Sequence, residues 1–371
     1  MNKTKHSPYQ ILSFVAAITV ALLIFLWSLD LMTTTFQEIG NETVLKVLQI
    51  TSNPFISLFI GLFITAVIQS SSTSTSLIVA IVASGSLSLE NAIPMIMGAN
   101  IGTTLTSTVI SLSYITNNRE FKDALTCGVM HDFFNIMTVI ILFPLEYYYN
   151  MLSKLASSLA SIIGPPLGEN SINSEVTFEL FHGINTYLIN IVEFKIFLIL
   201  LSAICLFISI KVLSKIISKR LIGNHNERFQ DVFFRSPINS FGFGTLLTSG
   251  IQSSSISTTI IVPIGATGKI PVEKIFPYIV GANIGTTLTA LIAAFNKSEA
   301  AQSIALAHFL FNAIGTIIFL LVPYIKDLPS TYAKKFAEMT VQFKVIGFVY
   351  ILVIFFILPL ALIFINNLLS R

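Results

Sequence analysis

Apolar residues in this chain gather into stretches far longer than a soluble helix requires. They cover residues 11–31, 54–83, 92–114, 124–147, 194–213, 241–265, 275–295, 300–324 and 343–369. A helix crossing the hydrocarbon of a bilayer needs about 20 such residues, so the pattern predicts membrane helices joined by short polar segments. Serine-rich runs cut two of the stretches, 54–83 and 241–265, near their middles. Two more, 92–114 and 275–295, carry Gly-Ala-Asn-Ile-Gly inside them. An interruption inside hydrocarbon leaves backbone groups unpaired and survives only where protein or a wet cavity covers it. The four interrupted stretches are therefore where a site is sought.

Composition agrees. Of the 371 residues, 54% are hydrophobic and 11% charged, against roughly 25% charged in soluble domains; the mean hydropathy is +0.82. This excludes a soluble enzyme and a disordered chain. The formal charge of +3 is too small and too scattered for a nucleic-acid footprint. The first apolar run follows Lys3 and Lys5, is long, and lacks a small-residue cleavage site before Asp30, so it reads as a retained helix. Cys127 and Cys205 lie in apolar stretches as small packing residues, and no Cys or His cluster calls for a metal or other cofactor. Lys211, Lys215, Lys219, Arg220, Arg228 and Arg235 face only Glu227 and Asp231 in the segment 211–235. By the positive-inside rule that linker is cytoplasmic, as is the N-terminus, while the segment 146–193, with Glu169, Glu175 and Glu179, lies outside.

An internal repeat sets the architecture. Gln69-Ser70-Ser71-Ser72 recurs as Gln252-Ser253-Ser254-Ser255, and the nine residues from Gly98 to Thr106 recur unchanged from Gly281 to Thr289. Both offsets are 183, and more than half of the 38 positions from 69 to 106 are identical without a gap. His131 and Asn135 recur as His308 and Asn312 at an offset of 177, because the segment before them is six residues shorter in the second copy. Duplicated units with interrupted helices at matching places are the mark of a secondary transporter. The expected fold is an all-α polytopic membrane protein, with two inverted-topology repeats whose broken helices, as re-entrant hairpins, meet near the midplane. Its parts are a first transmembrane helix (1–30), repeat 1 (31–147), an extracellular loop, connecting transmembrane helix and basic cytoplasmic linker (148–235), repeat 2 (236–325) and a C-terminal transmembrane helix (326–371).

The repeated motifs hold Gln, Ser, Thr and Asn and almost no charge. Hydroxyls and carboxamides can donate to an oxyanion and offer oxygens to a hard cation. Helix N-termini at the breaks add free N–H groups and a positive dipole end. With no Lys or Arg in the motifs, a multivalent anion needs co-bound cations, which argues for cation–anion symport with Na+. A single copy would read as packing, since serines back-bond to carbonyls and Gly98-x-x-x-Gly102 fits close helix approach. Two copies in register favour a ligand site. His131 with Asn135, and His308 with Asn312, lie at i, i+4 and read first as structural hydrogen bonds, with a ligand role secondary. Asp132, matched by Phe309, is an intramembrane carboxylate and hence a functional candidate. Catalysis is not expected: there is no Gly-x-Ser-x-Gly, and Gly265-Ala-Thr-Gly-Lys269 lacks the spacing of a phosphate loop.

At these residues the chain resembles the type II sodium-phosphate cotransporter (Na/Pi symporter) family: in both Gln-Ser-Ser-Ser runs, both Gly-Ala-Asn-Ile-Gly-Thr-Thr segments and His131-Asp132-Phe133-Phe134-Asn135. The resemblance implies import of HPO4(2−) with Na+ by alternating access. For phosphate it points to Gln69, Ser70, Ser71, Ser72, Ser253, Ser254, Ser255, Asn100, Asn283, Thr104 and Thr287. For Na+ it points to Gln252, Ser253, Thr286 and Thr289, with Gln69, Thr103 and Thr106 as their first-repeat counterparts. Ala282 stands where members often have Ser, which implies that one Na+ ligand is lost or replaced by a backbone oxygen. Asn117 aligns with an Asp of electrogenic members, which implies about two Na+ per divalent phosphate. The loop 148–192, short and without Cys, implies a bacterial inner-membrane member. The partners are phosphate, Na+ and the lipid bilayer, with a homo-oligomer left open. Another oxyanion, such as sulfate or a carboxylate, is the alternative cargo, and an ion channel the more distant one.

Overall fold

The computed structural model describes residues 8–38, 53–163, 179–221, 233–268 and 270–369. Lys3, Lys5, Glu169, Glu175 and residues 222–232 of the linker lie outside the described residues. Every regular element among the described residues is helical.

The chain begins with α1 (Pro8–Glu38). The first copy follows as α2 (Pro54–Ile68), α3 (Ser71–Ala83), α4 (Leu89–Gly102), α5 (Leu105–Ser111) and the long α6 (Asn118–Tyr149). Next come α7 (Met151–Ile163), α8 (Glu179–Ile191) and α9 (Lys195–Leu221). Residues 148–192, read above as a loop, thus carry two helices, and helix α9 runs on through the first basic positions of the linker. The second copy is α10 (Pro237–Ile251), α11 (Ser254–Ala266), α12 (Val272–Ala294) and α13 (Glu299–Leu321). The chain closes with α14 (Leu328–Gln342), α15 (Val345–Leu352), a π-turn over Val353–Ile357 and α16 (Leu358–Leu369). Among the described residues, five helical stretches are long and apolar enough to cross a membrane: Leu89–Tyr114 taken through its turn, Asn118–Tyr149, Glu273–Ala294, Glu299–Leu321 and Val345–Leu368. Ile238, Leu246, Leu321 and Phe364 leave large apolar side chains exposed.

Each copy opens with the same local chemistry. Asn53 and Ser236 cap α2 and α10 by accepting from Phe55 N and Asn239 N, and Pro54 and Pro237 occupy the first turn, where a missing N–H costs nothing. Glycines then let α2 lie against α4, and α10 against α12, at backbone contact. A Cβ on Gly61, Gly98 or Gly102 would fall 2.0, 1.8 or 2.4 Å from the carbonyl oxygens of Met95, Leu58 and Leu62. On Gly244, Gly281 or Gly285 it would fall 2.1, 2.2 or 2.4 Å from those of Tyr278, Phe241 and Thr245, the same pairs 183 residues on. Only glycine allows this approach.

The copies differ at the Gly-Ala-Asn-Ile-Gly segment. In the first, α4 ends at Gly102 and restarts at Leu105; in the second, α12 runs through without a break. The expectation of an interruption in both is therefore met in one. Hydroxyls explain the difference. Thr103, Thr104, Ser107 and Thr108 donate to carbonyls of their own turn, competing with the helix ladder. In the second copy Ala290 and Leu291 stand in place of Ser107 and Thr108 and offer no competitor.

The repeat also extends beyond the motifs. Helix α7 and helix α14 stand at the 177 offset and share Ala156/Ala333 and Ala160/Ala337, all buried. Helix α7 packs on α13, and α14 packs on α6, so each copy's closing helix covers the other copy's long helix. Outside the copies, α1 packs on α9 and α8, through Leu31, Ile189 and Leu198.

Candidate functional site

The breaks in the two hairpins are built alike. Helix α2 stops where Gln69 turns into the left-handed region (φ 56, ψ 30) and Ser70 becomes extended; Ser70 Oγ accepts from Thr73 N at 3.2 Å and caps α3. Gln252 has the same φ and ψ, and Ser253 Oγ accepts from Ile256 N at 3.3 Å at the start of α11. A left-handed conformation costs a residue other than glycine roughly 1–2 kcal/mol. Its recurrence in both copies marks a conformation that the surroundings enforce.

The two breaks touch. Ser71 Oγ and Ser254 Oγ are 3.2 Å apart, Ser72 Oγ donates to Gln252 O at 2.8 Å, and Ser255 Oγ donates to Gln69 O at 3.3 Å. Each contact has its counterpart with the copies exchanged. Helices α3 and α11 therefore begin at one shared point, where their first-turn N–H groups and positive dipole ends converge. Neither Gln-Ser-Ser-Ser run carries a cationic side chain, so what the junction can offer an anion is backbone and hydroxyl donors alone.

Beside it runs a second cross-copy network. His131 Nε2 lies 2.5 Å from Asn283 Oδ1, Asn283 Nδ2 donates to Asn135 Oδ1 at 2.9 Å, and Asn135 Nδ2 donates to Asn100 O at 2.7 Å. In the other direction His308 Nε2 and Asn312 Nδ2 each lie 3.3 Å from Asn100 Oδ1. Since the Asn283 amide nitrogen is committed to Asn135, its oxygen accepts, and the network assigns the hydrogen to His131 Nε2. All six side chains are buried. The histidines thus bond the motif asparagines of the opposite copy.

The threonines divide into two groups. Thr103, Thr104 and Thr287 donate to Ala99 O, Ile101 O and Ile284 O at 2.8, 2.8 and 2.7 Å. Thr106, Thr286 and Thr289 keep buried hydroxyl oxygens with no hydrogen-bond partner. Such oxygens are what a hard cation would take. Asp132 is fully buried: its Oδ2 accepts from Thr108 Oγ1 at 3.0 Å and from Tyr350 Oη at 2.9 Å, and its Oδ1 has no partner. A carboxylate in this setting is costly without a cation or proton beside it. Among the described residues no group of three or more His, Cys, Asp or Glu could hold a metal.

Sequence reasoning passed over Thr108 and Tyr350, which hold Asp132, and Thr248, Ser257 and Tyr278, which bond together under the second break. One signal lay in the sequence: Tyr278 stands opposite Met95 in the repeat, a phenol where the first copy has a thioether.

Helices long and apolar enough to cross a membrane, two matched helix breaks and an uncharged junction of hydroxyls fit a polytopic membrane protein built on a duplicated unit. The chain belongs to the Na+/Pi-cotransporter family, whose profile it matches over residues 24–163 and 205–348. It is 29% identical to sodium-dependent phosphate transport protein 2A of Mus musculus, over 91% of this chain and 65% of that protein. To sodium-dependent phosphate transport protein 2B of Homo sapiens it is 28% identical, over 92% of this chain and 63% of that protein. The chain thus spans just under two-thirds of the length of these relatives. No solved structure gives a significant match.

Proposed function

We propose that the chain is a Na+-coupled symporter of inorganic phosphate, importing HPO4(2−) by alternating access. The observation that carries this reading is the convergence of the α3 and α11 N-termini at Ser71 and Ser254. Two helix ends and a ring of hydroxyls form a donor-rich cradle for an oxyanion, and the names of the relatives supply the anion's identity. Phosphate is held by Gln69, Ser70, Ser71, Ser72, Ser253, Ser254 and Ser255, with Asn100, Asn283, Thr104 and Thr287 behind them. Na+ is held by Gln252, Ser253, Thr286 and Thr289, where two buried threonine oxygens lack partners. Gln69, Thr103 and Thr106 are the first-copy equivalents, and Asp132 is the acidic position for a second cation. At two Na+ per HPO4(2−) the cycle moves no net charge; a phosphate-evoked current at clamped voltage would overturn that stoichiometry.

The copies are inverted repeats related by a two-fold axis in the membrane plane, with re-entrant hairpins meeting near the midplane. Reciprocal contacts support this, since an axis between equivalent positions makes every i-to-j contact return as j-to-i. In this orientation the linker 211–235 faces the cytoplasm.

Uptake of radiolabelled phosphate into proteoliposomes tests the reading. It should require an inward Na+ gradient, fail when K+ replaces Na+, and vanish in Ser71→Ala and Ser254→Ala protein. Well-folded protein without phosphate uptake in either salt would defeat it, and competition by sulfate or a carboxylate would redirect the cargo.

A further inference from the structure

Beneath the second break, three buried hydroxyls close on one another. Thr248 Oγ1, near the end of α10, donates to Ser257 Oγ of α11 at 2.7 Å. Ser257 Oγ lies 2.8 Å from Tyr278 Oη of α12, and Tyr278 Oη donates to Ser257 O at 3.0 Å. Rings of Phe234 and Phe243, with centroids 5.7 and 5.6 Å from that of Tyr278, fix the phenol in place. One cluster thereby joins both arms of the hairpin to the helix that carries Asn283, Thr286 and Thr289. Removing any member takes a buried hydrogen-bond partner from another, so the cluster resists opening.

The first hairpin matches the second in motif and backbone angles, yet it has no such tie. Met95 stands in place of Tyr278, and Ser74 Oγ turns back to Ser70 O at 3.1 Å. Thr65 Oγ1, the equivalent of Thr248, is fully buried without a partner, and so are the hydroxyls of Thr75 and Ser76 in the same hairpin. Buried donors left unmade lower the cost of leaving this arrangement.

We infer that Tyr278 is a positioning residue: by bonding Ser257, and through it Thr248, it makes the second hairpin the rigid half of the junction. The first hairpin is the compliant half, and it moves when the site opens. The last clause rests on the transport reading; the asymmetry itself does not.

Amide hydrogen exchange on the full chain in nanodiscs, read by mass spectrometry, tests the asymmetry without any substrate. Peptides over 253–258 should exchange at least about tenfold more slowly than peptides over 70–75, because local opening must break the tie first. Tyr278→Phe should remove most of that difference, and Thr65→Val, which takes away one of the unmade donors, should narrow it only slightly. Equal exchange in the wild-type hairpins, or an unchanged difference in Tyr278→Phe, would overturn the inference. Phosphate uptake supplies the functional arm. Tyr278→Phe and Thr248→Val should raise the half-saturating Na+ concentration about fivefold, the worth of one hydrogen bond, with maximal rate largely kept. Thr65→Val should leave it unchanged. Loss of maximal rate at unchanged Na+ affinity would mark Tyr278 as merely structural. Wild-type protein that takes up no phosphate would sink the transport reading, while the exchange experiment would still decide the asymmetry.

Discussion

Gln69 and Gln252 hold backbone angles that glycine adopts freely, and neither is glycine. Gln252→Gly should raise thermal stability by about 0.5–1 kcal/mol, as relief of left-handed strain predicts, while weakening Na+-dependent uptake. A variant with unchanged Na+ affinity would remove the Gln252 side chain from the cation site. Asp132→Asn keeps an oxygen to accept from Thr108 and Tyr350 while the charge goes and the unpartnered Oδ1 becomes an NH2. The Hill coefficient of uptake for Na+ should then drop toward one, and a coefficient unchanged from wild type would exclude Asp132 as a cation position. At this scale the sequence was legible where it spoke twice. The serines and asparagines stood out because both copies print them. Thr108 and Tyr350 did not, since they reach Asp132 from 24 residues before it and 218 after it, and no spacing rule announces such a contact.

Between helices, the decisive residues are those with no side chain at all. Gly98→Ala would set a methyl 1.8 Å from Leu58 O, and Gly281→Ala one 2.2 Å from Phe241 O. Either must separate a helix pair, and overpacking of this kind costs roughly 1–3 kcal/mol or more. Gly242→Ala, with nothing within 4 Å of the added methyl, should instead stabilise α10 by up to about 1 kcal/mol. Melting of the three purified variants checks the order; equal melting points would mean the glycines are not the contact surfaces. The helix breaks at Gln69 and Gln252 were readable because the same polar run interrupts an apolar stretch twice at one offset. The break between α4 and α5 was expected in both copies and occurs in one, because it depends on hydroxyls beyond the shared motif. Helices α7 and α14 escaped notice because the first is short and the second has polar and charged residues among its apolar ones, and their alanines give only a faint signal.

Across the molecule, one partly buried ion pair ties the outer helices to the second copy. Lys297 Nζ lies 3.1 Å from Asp30 Oδ1, Asn185 Nδ2 donates to Asp30 Oδ2 at 2.8 Å, and the indole of Trp27, the only tryptophan, donates to Asn185 at 2.9 Å. Lys297→Met would strand a buried carboxylate and should cost about 3 kcal/mol, with the double variant Asp30→Asn/Lys297→Met regaining most of it. Trp27 emission should shift in the single variant and return in the double; a single variant that melts and fluoresces like wild type would show the pair to be idle.

The exchange of closing helices, α7 onto α13 and α14 onto α6, bears on ancestry. A unit that covers its sister's long helix and leaves its own bare has no finished surface when alone. An ancestor encoding one unit would have had to live as a pair of identical chains, Thr138 of one meeting its equivalent in the other, as Thr138 now meets Gly315. Joining two such units in one chain frees each half from that sameness. Asp132 opposite Phe309, and Tyr278 opposite Met95, are differences that a pair of identical chains could never have held.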